Sequence, residues 1–425
     1  MSTSQATPPP MTTRQVWQSP PVRRLLISNG ILTTGIALQS TVLLKQAYDI
    51  TGRTSDLGWM GLAEFLPIAA LVLVTGTLAD HFNRKMIALV TVGAEVFTSG
   101  ALLFYALSKP TSVMPLFGIA FTFGIARAFQ APATRAMPPM VAPAGALPKV
   151  IALYSAVWTG SIIFGPAIGG FLYAVDPWVA YLGSTTLILV SALVLSTQTF
   201  VREPLPPDPD NRPTLRTAVE GLLFIRRTPV LLAAIALDLF AVLFGGAVAL
   251  IPVIAKDRLG VGDVAYGWLR AAPGFGAAGM ALVMAARPVR RHVGRTLLVV
   301  VGVFGVGTVV LGVTHNYLLA FLALVVLSAA DMVSVFIRGS LVPLVTPDEK
   351  RGRVLAVESV FIGASNELGA FESGMVAQAF GTSATVIGGG VATLAVVGVW
   401  WFAFPSLRRI DRFEELERSD STESH

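Results

Sequence analysis

The chain has 425 residues, of which 54% are hydrophobic and 13% are charged, whereas a soluble domain carries roughly 25% charged residues. A single soluble core stops growing at about 250–300 residues, so a water-soluble fold cannot bury this much apolar surface. The composition therefore indicates an integral membrane protein and excludes a soluble enzyme, a nucleic-acid-binding protein and a disordered scaffold.

The chain contains no cysteine, and its four histidines lie far apart in the sequence. Disulfides, thiol catalysis and cysteine-type metal sites are thereby excluded, and no histidine pair has the spacing of metal ligands. No phosphate-binding loop of the form G-x-x-x-x-G-K-[ST] occurs, so ATP is not expected to drive the protein directly. We expect a protein that is not an enzyme and that holds neither a metal nor a cofactor.

Twelve apolar runs are long enough to cross a bilayer, for which a helix needs about 20 residues. They follow a Pro-, Thr- and Gln-rich tail over residues 1–24, which has no apolar core and so is not a cleavable signal peptide. The predicted fold is all-α and membrane-integral, with twelve transmembrane helices as two six-helix bundles. The bundles cover 25–199 and 229–404, with a linker over 200–228 and a C-terminal tail over 405–425. The predicted spans are 25–47, 56–79, 86–107, 112–134, 148–174, 178–199, 229–255, 263–286, 296–314, 317–343, 354–379 and 382–404.

The distribution of Lys and Arg sets the predicted orientation. With the N-terminus in the cytoplasm, the inner segments carry twenty-three of the 31 Lys and Arg residues, and the outer segments carry five. This bias predicts a multi-pass protein of the cell (inner) membrane with both termini in the cytoplasm. It also accounts for the net charge of +6, because basic inner segments face anionic lipid and no nucleic acid is needed as a partner.

The turn between the second and third spans reads GTLADHFNRK over residues 76–85. It resembles the G-x-L-a-D-r-x-G-R-K signature of the major facilitator superfamily of transporters, in which this loop braces the cytoplasmic gate. Asn83 stands where the pattern has Gly, and because Asn accepts a left-handed backbone the turn is expected to survive. A basic inner loop with one acid is the alternative interpretation. The resemblance assigns the gate to Gly76, Asp80, Arg84 and Lys85.

The fourth span contains a charged residue in its middle, Arg127, followed three positions later by Gln130. Arg-x-x-Gln resembles the fourth-span motif of the same superfamily, whose Arg is associated with proton coupling. A charge at this depth costs at least about 2.5–3.5 kcal/mol. Arg127 is therefore expected either to take part in transport or to pair with a neighbouring helix.

The fifth span contains Gly165-Pro166-Ala167-Ile168-Gly169-Gly170. This run resembles the G-P-x-x-G-G motif of the antiporter branch of the superfamily, and the resemblance favours export over import. Glycine permits close helix contact and proline kinks a helix, so the run is expected to pack the two halves together. Generic helix packing is the alternative. The motif residues are Gly165, Pro166, Gly169 and Gly170.

The second part of the linker has the pattern of an amphipathic helix. Leu215, Val219, Leu222 and Ile225 fall on one helical face, with Arg216, Glu220 and Arg227 elsewhere. This pattern predicts a helix that lies on the inner surface of the membrane.

Seven acids fall within predicted spans, which is costly unless each is paired, protonated or facing water. In this superfamily the first, fourth, seventh and tenth spans line the central cavity, so the resemblance places Asp238 there, at the depth of Arg127. Glu358 and Arg338 are expected to be structural, with Glu358 paired to a loop Arg, and Glu95 stays open between a structural and a functional role. The candidates for proton coupling or for the substrate cavity are Arg127, Asp238, Asp331, Glu64, Glu367 and Glu372.

Residues 237–262 and 359–374 resemble the exporter subgroup that contains the enterobactin exporter and the macrolide efflux pumps. The resemblance implies a proton-driven secondary transporter that exports a bulky amphipathic molecule, siderophore or drug-like, by alternating access. Two alternatives with the same fold stay open, a carrier that flips lysophospholipid and an importer of small molecules. The expected partners are the amphipathic substrate, protons and membrane lipids, and a monomer is expected.

Overall fold

A computed structural model describes residues 11–81, 83–200 and 215–415, and every regular element within these ranges is helical. A 3-10 turn over Gly246–Leu250 and a π-helical turn over Ile254–Arg258 flank a short helix over Ile251–Val253. The helices are α1 (Thr13–Gln18), α2 (Pro20–Thr51), α3 (Thr54–His81), α4 (Arg84–Leu107), α5 (Met114–Arg135), α6 (Met137–Val141), α7 (Leu147–Tyr173), α8 (Pro177–Ser196), α9 (Leu215–Arg227), α10 (Pro229–Phe244), α11 (Ile251–Val253), α12 (Asp263–Ala286), α13 (Val293–Val313), α14 (Tyr317–Val345), α15 (Asp348–Phe380), α16 (Thr382–Ala403) and α17 (Pro405–Arg408).

Eleven helical segments in the described part of the chain are long and apolar enough to cross a membrane. They coincide with eleven of the twelve predicted spans, and they confirm the all-helical membrane fold. The remaining predicted span, 56–79, corresponds to α3, which is 28 residues long and is not among the eleven.

The helices group into two compact units. The first contains Met1–Leu43 and Leu66–Arg212, and the second contains Leu44–Phe65 and Pro213–His425. The hairpin over residues 44–65, made by the end of α2 and the start of α3, therefore belongs to the second unit. Its buried side chains Tyr48 and Leu57 are part of one apolar core with residues of α12 and α14, which the order of the spans does not reveal.

In the first unit, small polar side chains join helices that cross inside the bundle. The Ser28 and Ser191 hydroxyls lie 3.0 Å apart between α2 and α8, and the Ser99 and Ser184 hydroxyls lie 2.9 Å apart between α4 and α8. Small residues let membrane helices approach closely, and the serine hydroxyls satisfy each other because lipid offers no hydrogen-bond partners.

In the second unit, charged groups fasten the 44–65 hairpin to the rest of the unit. The Lys45 ammonium lies 2.5 Å from Asp49 and 3.0 Å from Asp263 of α12, although Lys45 is only 5% exposed. Lys256 lies 2.6 Å from the other oxygen of Asp49, and the Tyr48 hydroxyl donates to Asp257. Two carboxylates and two ammonium groups thus alternate along one chain of ion pairs, in the order Asp263, Lys45, Asp49, Lys256.

Replacing Lys45 by methionine is expected to lower the free energy of unfolding by about 1.5–3 kcal/mol, the value of a hydrogen bond to a charged group. Asp263 loses the Lys45 ammonium, and Asp49 keeps Lys256 but loses Lys45. Thermal unfolding of the detergent-solubilised protein measures the change. Lys109→Met removes an exposed lysine and serves as the control. Equal midpoints for the two variants would contradict the prediction.

Candidate functional site

Three helices of the second unit meet at a buried ion cluster. Arg338 Nη2 of α14 lies 2.8 Å from Asp238 Oδ1 of α10, and Arg338 Nη1 lies 3.7 Å from Glu358 Oε1 of α15. The three side chains are only 4%, 7% and 9% exposed, in the order Arg338, Asp238, Glu358. Ion pairs this deep are costly unless their geometry is good and further hydrogen bonds satisfy them, so they mark functional sites in membrane spans.

The sequence of α14 brings three polar groups to this place. Asp331, Ser334 and Arg338 are spaced at i, i+3 and i+7, which puts them on one face of a helix. Arg338 Nε donates to the Ser334 hydroxyl at 3.4 Å. Asp238, Asp331 and Ser334 also line a narrow cavity together with Phe304 of α13. The volume of this cavity is near the lower limit for one water molecule.

The ion cluster gives partners to two residues that the sequence expected to be structural. The prediction that Glu358 pairs with a loop Arg is wrong, because its partner is Arg338 of α14. Arg338 is the cation between Glu358 and Asp238. It precedes the end of α14 by seven residues, about 10 Å of helix, and lies inside the protein. Its spacing of i, i+7 from Asp331 is the sequence signal that places Arg338 on the same helix face as that acid.

The other acidic candidates of the second unit lie along the contact of α15 with α3. Glu367 and Glu372 follow Glu358 by nine and fourteen residues, about 14 and 21 Å along α15, so the ion cluster does not include them. A Cβ atom on Gly61 of α3 would meet Glu367 Oε2 at 2.9 Å. The half-buried Glu64 follows Gly61 by one helical turn. The Ser373 hydroxyl donates to Glu372 at 3.4 Å.

In the first unit, a polar pair links α4 and α5. Gln130 donates from Nε2 to Glu95 Oε2 at 2.9 Å, and the Glu95 side chain is fully buried. Arg127 lies three residues before Gln130 on α5 and is half-buried, with its guanidinium 5.9 Å from the centroid of the Phe123 ring. The Gln of the Arg-x-x-Gln motif therefore binds a buried carboxylate, that of Glu95, whose role the sequence did not decide. Across the described ranges, no three His, Asp or Glu side chains stand close enough together to hold a metal ion.

At the predicted cytoplasmic gate, the structure describes part of the motif. The surroundings of Gly76 and of the Asp80 side chain lie outside the described residues, and Arg84 begins α4. Lys85 donates to the carbonyl oxygens of Ser196 and Gln198, both at 2.7 Å, where a cation is favoured by the C-terminal end of α8.

The expected left-handed backbone at Asn83 is not observed. Asn83 is extended, with φ −61° and ψ 113°, and its side chain accepts from the backbone N–H of Lys85 and Met86. Asn is a preferred N-cap, and this role explains why it can stand in place of the Gly of the motif.

Two glycines of the fifth-span motif lie in close contact with a neighbouring helix. A Cβ atom on Gly165 would lie 2.6 Å from Ala37 Cβ and 2.9 Å from Thr34 O of α2, and one on Gly169 would lie 3.2 Å from Leu38 O. Both contacts are inside the first unit. Gly165 and Gly169 therefore pack α7 on α2, whereas the sequence predicted packing between the halves.

Replacing Gly165 by alanine is expected to destabilise the protein by about 1–3 kcal/mol, because the added methyl group forces α7 and α2 apart. Gly160 lies on the same helix, where an added Cβ meets no atom within 4 Å, so Gly160→Ala is the matched control. Thermal unfolding of the two variants measures the difference. If Gly165→Ala and Gly160→Ala unfold at the same temperature, the close contact of Gly165 with α2 does not contribute to stability.

Membrane-crossing helices, interhelical glycine contacts and a buried ion cluster are together typical of a polytopic membrane transporter. The chain belongs to the transmembrane secretion effector family of the major facilitator superfamily, which it matches over residues 47–422. This family consists of transporters and not of enzymes, and the family predicted from the motifs is confirmed.

Two efflux proteins are similar to the chain over much of its length. The multidrug efflux pump Tap of Mycolicibacterium fortuitum is 25% identical over 413 residues, which cover 91% of this chain and 97% of Tap. Macrolide efflux protein A of Streptococcus pyogenes is 27% identical over 235 residues, which cover 53% of this chain and 56% of that protein.

A solved structure confirms the fold. The bacterial homologue of the human lysosomal transporter Spinster, in its inward-facing and unoccupied conformation, superposes with a TM-score of 0.68. The alignment has 17% sequence identity and covers 95% of this chain and 98% of that chain.

Proposed function

We propose that the chain exports bulky amphipathic small molecules across the cell membrane in exchange for protons, by alternating access, with both termini in the cytoplasm. The similarity to a multidrug efflux pump and to a macrolide efflux protein supports export and a large substrate. The Lys and Arg bias supports the orientation.

The buried cluster of Asp238, Arg338 and Glu358 carries the proposal of proton coupling. Arg338 contacts two carboxylates, so protonation of Asp238 cancels one attraction and leaves the guanidinium to Glu358. This exchange moves charge between α10 and α15 without leaving a cation unpaired in a low-dielectric interior. One proton that enters across 100 mV supplies about 2.3 kcal/mol for transport.

In the first unit, Arg127 is the proposed coupling residue, and the gate is assigned to Gly76, Asp80, Arg84 and Lys85 as the sequence motif implies. Gln130 supports a role for Arg127 in coupling, because the same turn of α5 contacts the buried carboxylate of Glu95. The first unit then has an ionisable site of its own, in addition to the one in the second unit.

The test uses inverted membrane vesicles with an acidified interior and a dye that reports the proton gradient. Macrolides, cationic dyes, siderophores and lysophospholipids are added one at a time to vesicles with and without the protein. Collapse of the gradient by one compound, seen only with the protein, supports proton antiport and names the substrate class. Transport of a compound by folded protein without any change of the proton gradient would overturn proton coupling. Uptake of the compound into right-side-out vesicles would overturn export.

A further inference from the structure

One face of the amphipathic helix α9 is buried against α15. A Cβ atom on Gly221 would lie 2.9 Å from the carbonyl oxygen of Arg353, and Ile225 is only 2% exposed. Glu220 Oε2 lies 2.6 Å from Arg353 Nη1, and the Lys350 ammonium stands 4.9 Å from the centroid of the Phe224 ring. These contacts fix α9 to the start of α15.

The opposite face of α9 is apolar and uncovered. Val219, Leu222 and Leu223 are 53%, 43% and 45% exposed, and their spacing of i, i+3 and i+4 forms one stripe. The exposed Arg226 and Arg227 follow in the last turn. The apolar face thus differs from the predicted one, because Ile225 turns to the protein and Leu223 takes its place.

We propose that this stripe, Val219, Leu222 and Leu223, together with Arg226 and Arg227, binds the anionic lipid surface of the cytoplasmic leaflet. A single residue, Thr228, separates α9 from α10, which crosses the membrane, so the end of α9 lies at the membrane boundary. At a membrane surface the aliphatic stripe can contact lipid acyl chains while the neighbouring basic residues contact phosphate groups. The proposal rests on the cytoplasmic orientation and not on proton coupling or on the substrate.

Lipid binding at this face acts on the ion cluster through α15. Arg353 contacts α9, and Glu358, five residues further along the same helix, contacts Arg338. A helix rises about 1.5 Å per residue, so about 8 Å of rigid α15 separates the two contacts. Anionic lipid therefore holds in place the helix that bears one carboxylate of the cluster.

The chain has no cysteine, so one introduced cysteine is a unique labelling site. The protein with Leu222→Cys carries an environment-sensitive fluorophore and is placed in nanodiscs of phosphatidylcholine, alone or mixed with phosphatidylglycerol. Phosphatidylglycerol is expected to shift the emission to the blue and to protect the label from an aqueous quencher, and high salt is expected to reverse both effects. Phe402→Cys, on a side chain that is 81% exposed on a membrane-crossing helix, is the matched control and is expected to be insensitive to lipid charge.

Removing both positive charges, with Arg226→Gln and Arg227→Gln, is expected to weaken the lipid-bound state about 30-fold, since each basic residue near an anionic surface contributes about 1 kcal/mol. A label at residue 222 that is equally open to quencher in both lipids overturns the proposal. Protection that is the same in both lipids but rises with protein concentration also overturns it and assigns the face to a second copy. Transport is not part of the readout, so failure here and failure of the proposed export are distinguishable.

Discussion

Arg338→Met is expected to reduce the yield of folded protein more than any other single substitution in the second unit. The change leaves Asp238 and Glu358 in the interior without the cation that lies 2.8 Å and 3.7 Å from them. Breaking a buried ion pair in this way costs about 3–5 kcal/mol. Fluorescence-detected size-exclusion chromatography and thermal unfolding in detergent measure the folded fraction and its stability.

Two further variants separate a missing cation from a missing side chain. Arg338→Met combined with Asp238→Asn and Glu358→Gln has no buried charge at this place, and it is expected to recover most of the stability. Arg270→Met is the matched control, because Arg270 is half-buried in α12 and donates to the backbone carbonyl of Val248 at 3.2 Å. If Arg338→Met is as stable as Arg270→Met, the cluster does not depend on its cation.

Asp238→Asn is expected to fold and yet to lose proton-coupled transport by at least about tenfold, which corresponds to 1.4 kcal/mol. The variant folds because Arg338 keeps Glu358 and the Ser334 hydroxyl as partners. Coupling fails because an amide cannot exchange a proton at this position. Proteoliposomes measure both quantities, the substrate-driven movement of protons and the exchange of labelled substrate without a gradient.

The exchange of substrate is expected to survive in Asp238→Asn, since the amide has nearly the same size and shape as the carboxyl group. Glu349→Gln removes an exposed acid near the start of α15 and is the matched control, with transport at the level of the unchanged protein. Undiminished proton movement in Asp238→Asn would remove Asp238 from the coupling mechanism and leave the other acidic candidates, Asp331, Glu64, Glu367 and Glu372, for the role.

The helices and their class were predictable from the sequence because hydropathy and length are local properties. The pairing of ionisable groups was not, because it depends on which helix faces meet. Arg338 is an example: its position seven residues after Asp331 was visible in the sequence, but the approach of α10 and α15 from either side was not.

Motifs predicted the kind of contact better than the partner. The glycines at 165 and 169 do make close backbone contacts, as small residues in membrane helices should, yet the contacts are with α2 of the same unit. Lys85, likewise, belongs to a motif for a gate, and its ammonium satisfies carbonyls at the end of α8. A motif records which residue types are required at a place, while only the fold decides what they touch.

The hairpin over residues 44–65 also has a consequence for biosynthesis. Its partners lie far ahead in the chain: Tyr48 bonds Asp257, 209 residues away, and Thr54 bonds Gly374, 320 residues away. At a translation rate of about 5–20 residues per second, the hairpin waits roughly 10–60 seconds before these partners leave the ribosome. During that interval Lys45 and Asp49 lack the contacts that they later make with Asp263 and Lys256. The nascent chain is then most exposed to quality-control proteases and to mispairing, and substitutions that shorten or weaken this hairpin are expected to reduce the amount of protein more than its activity.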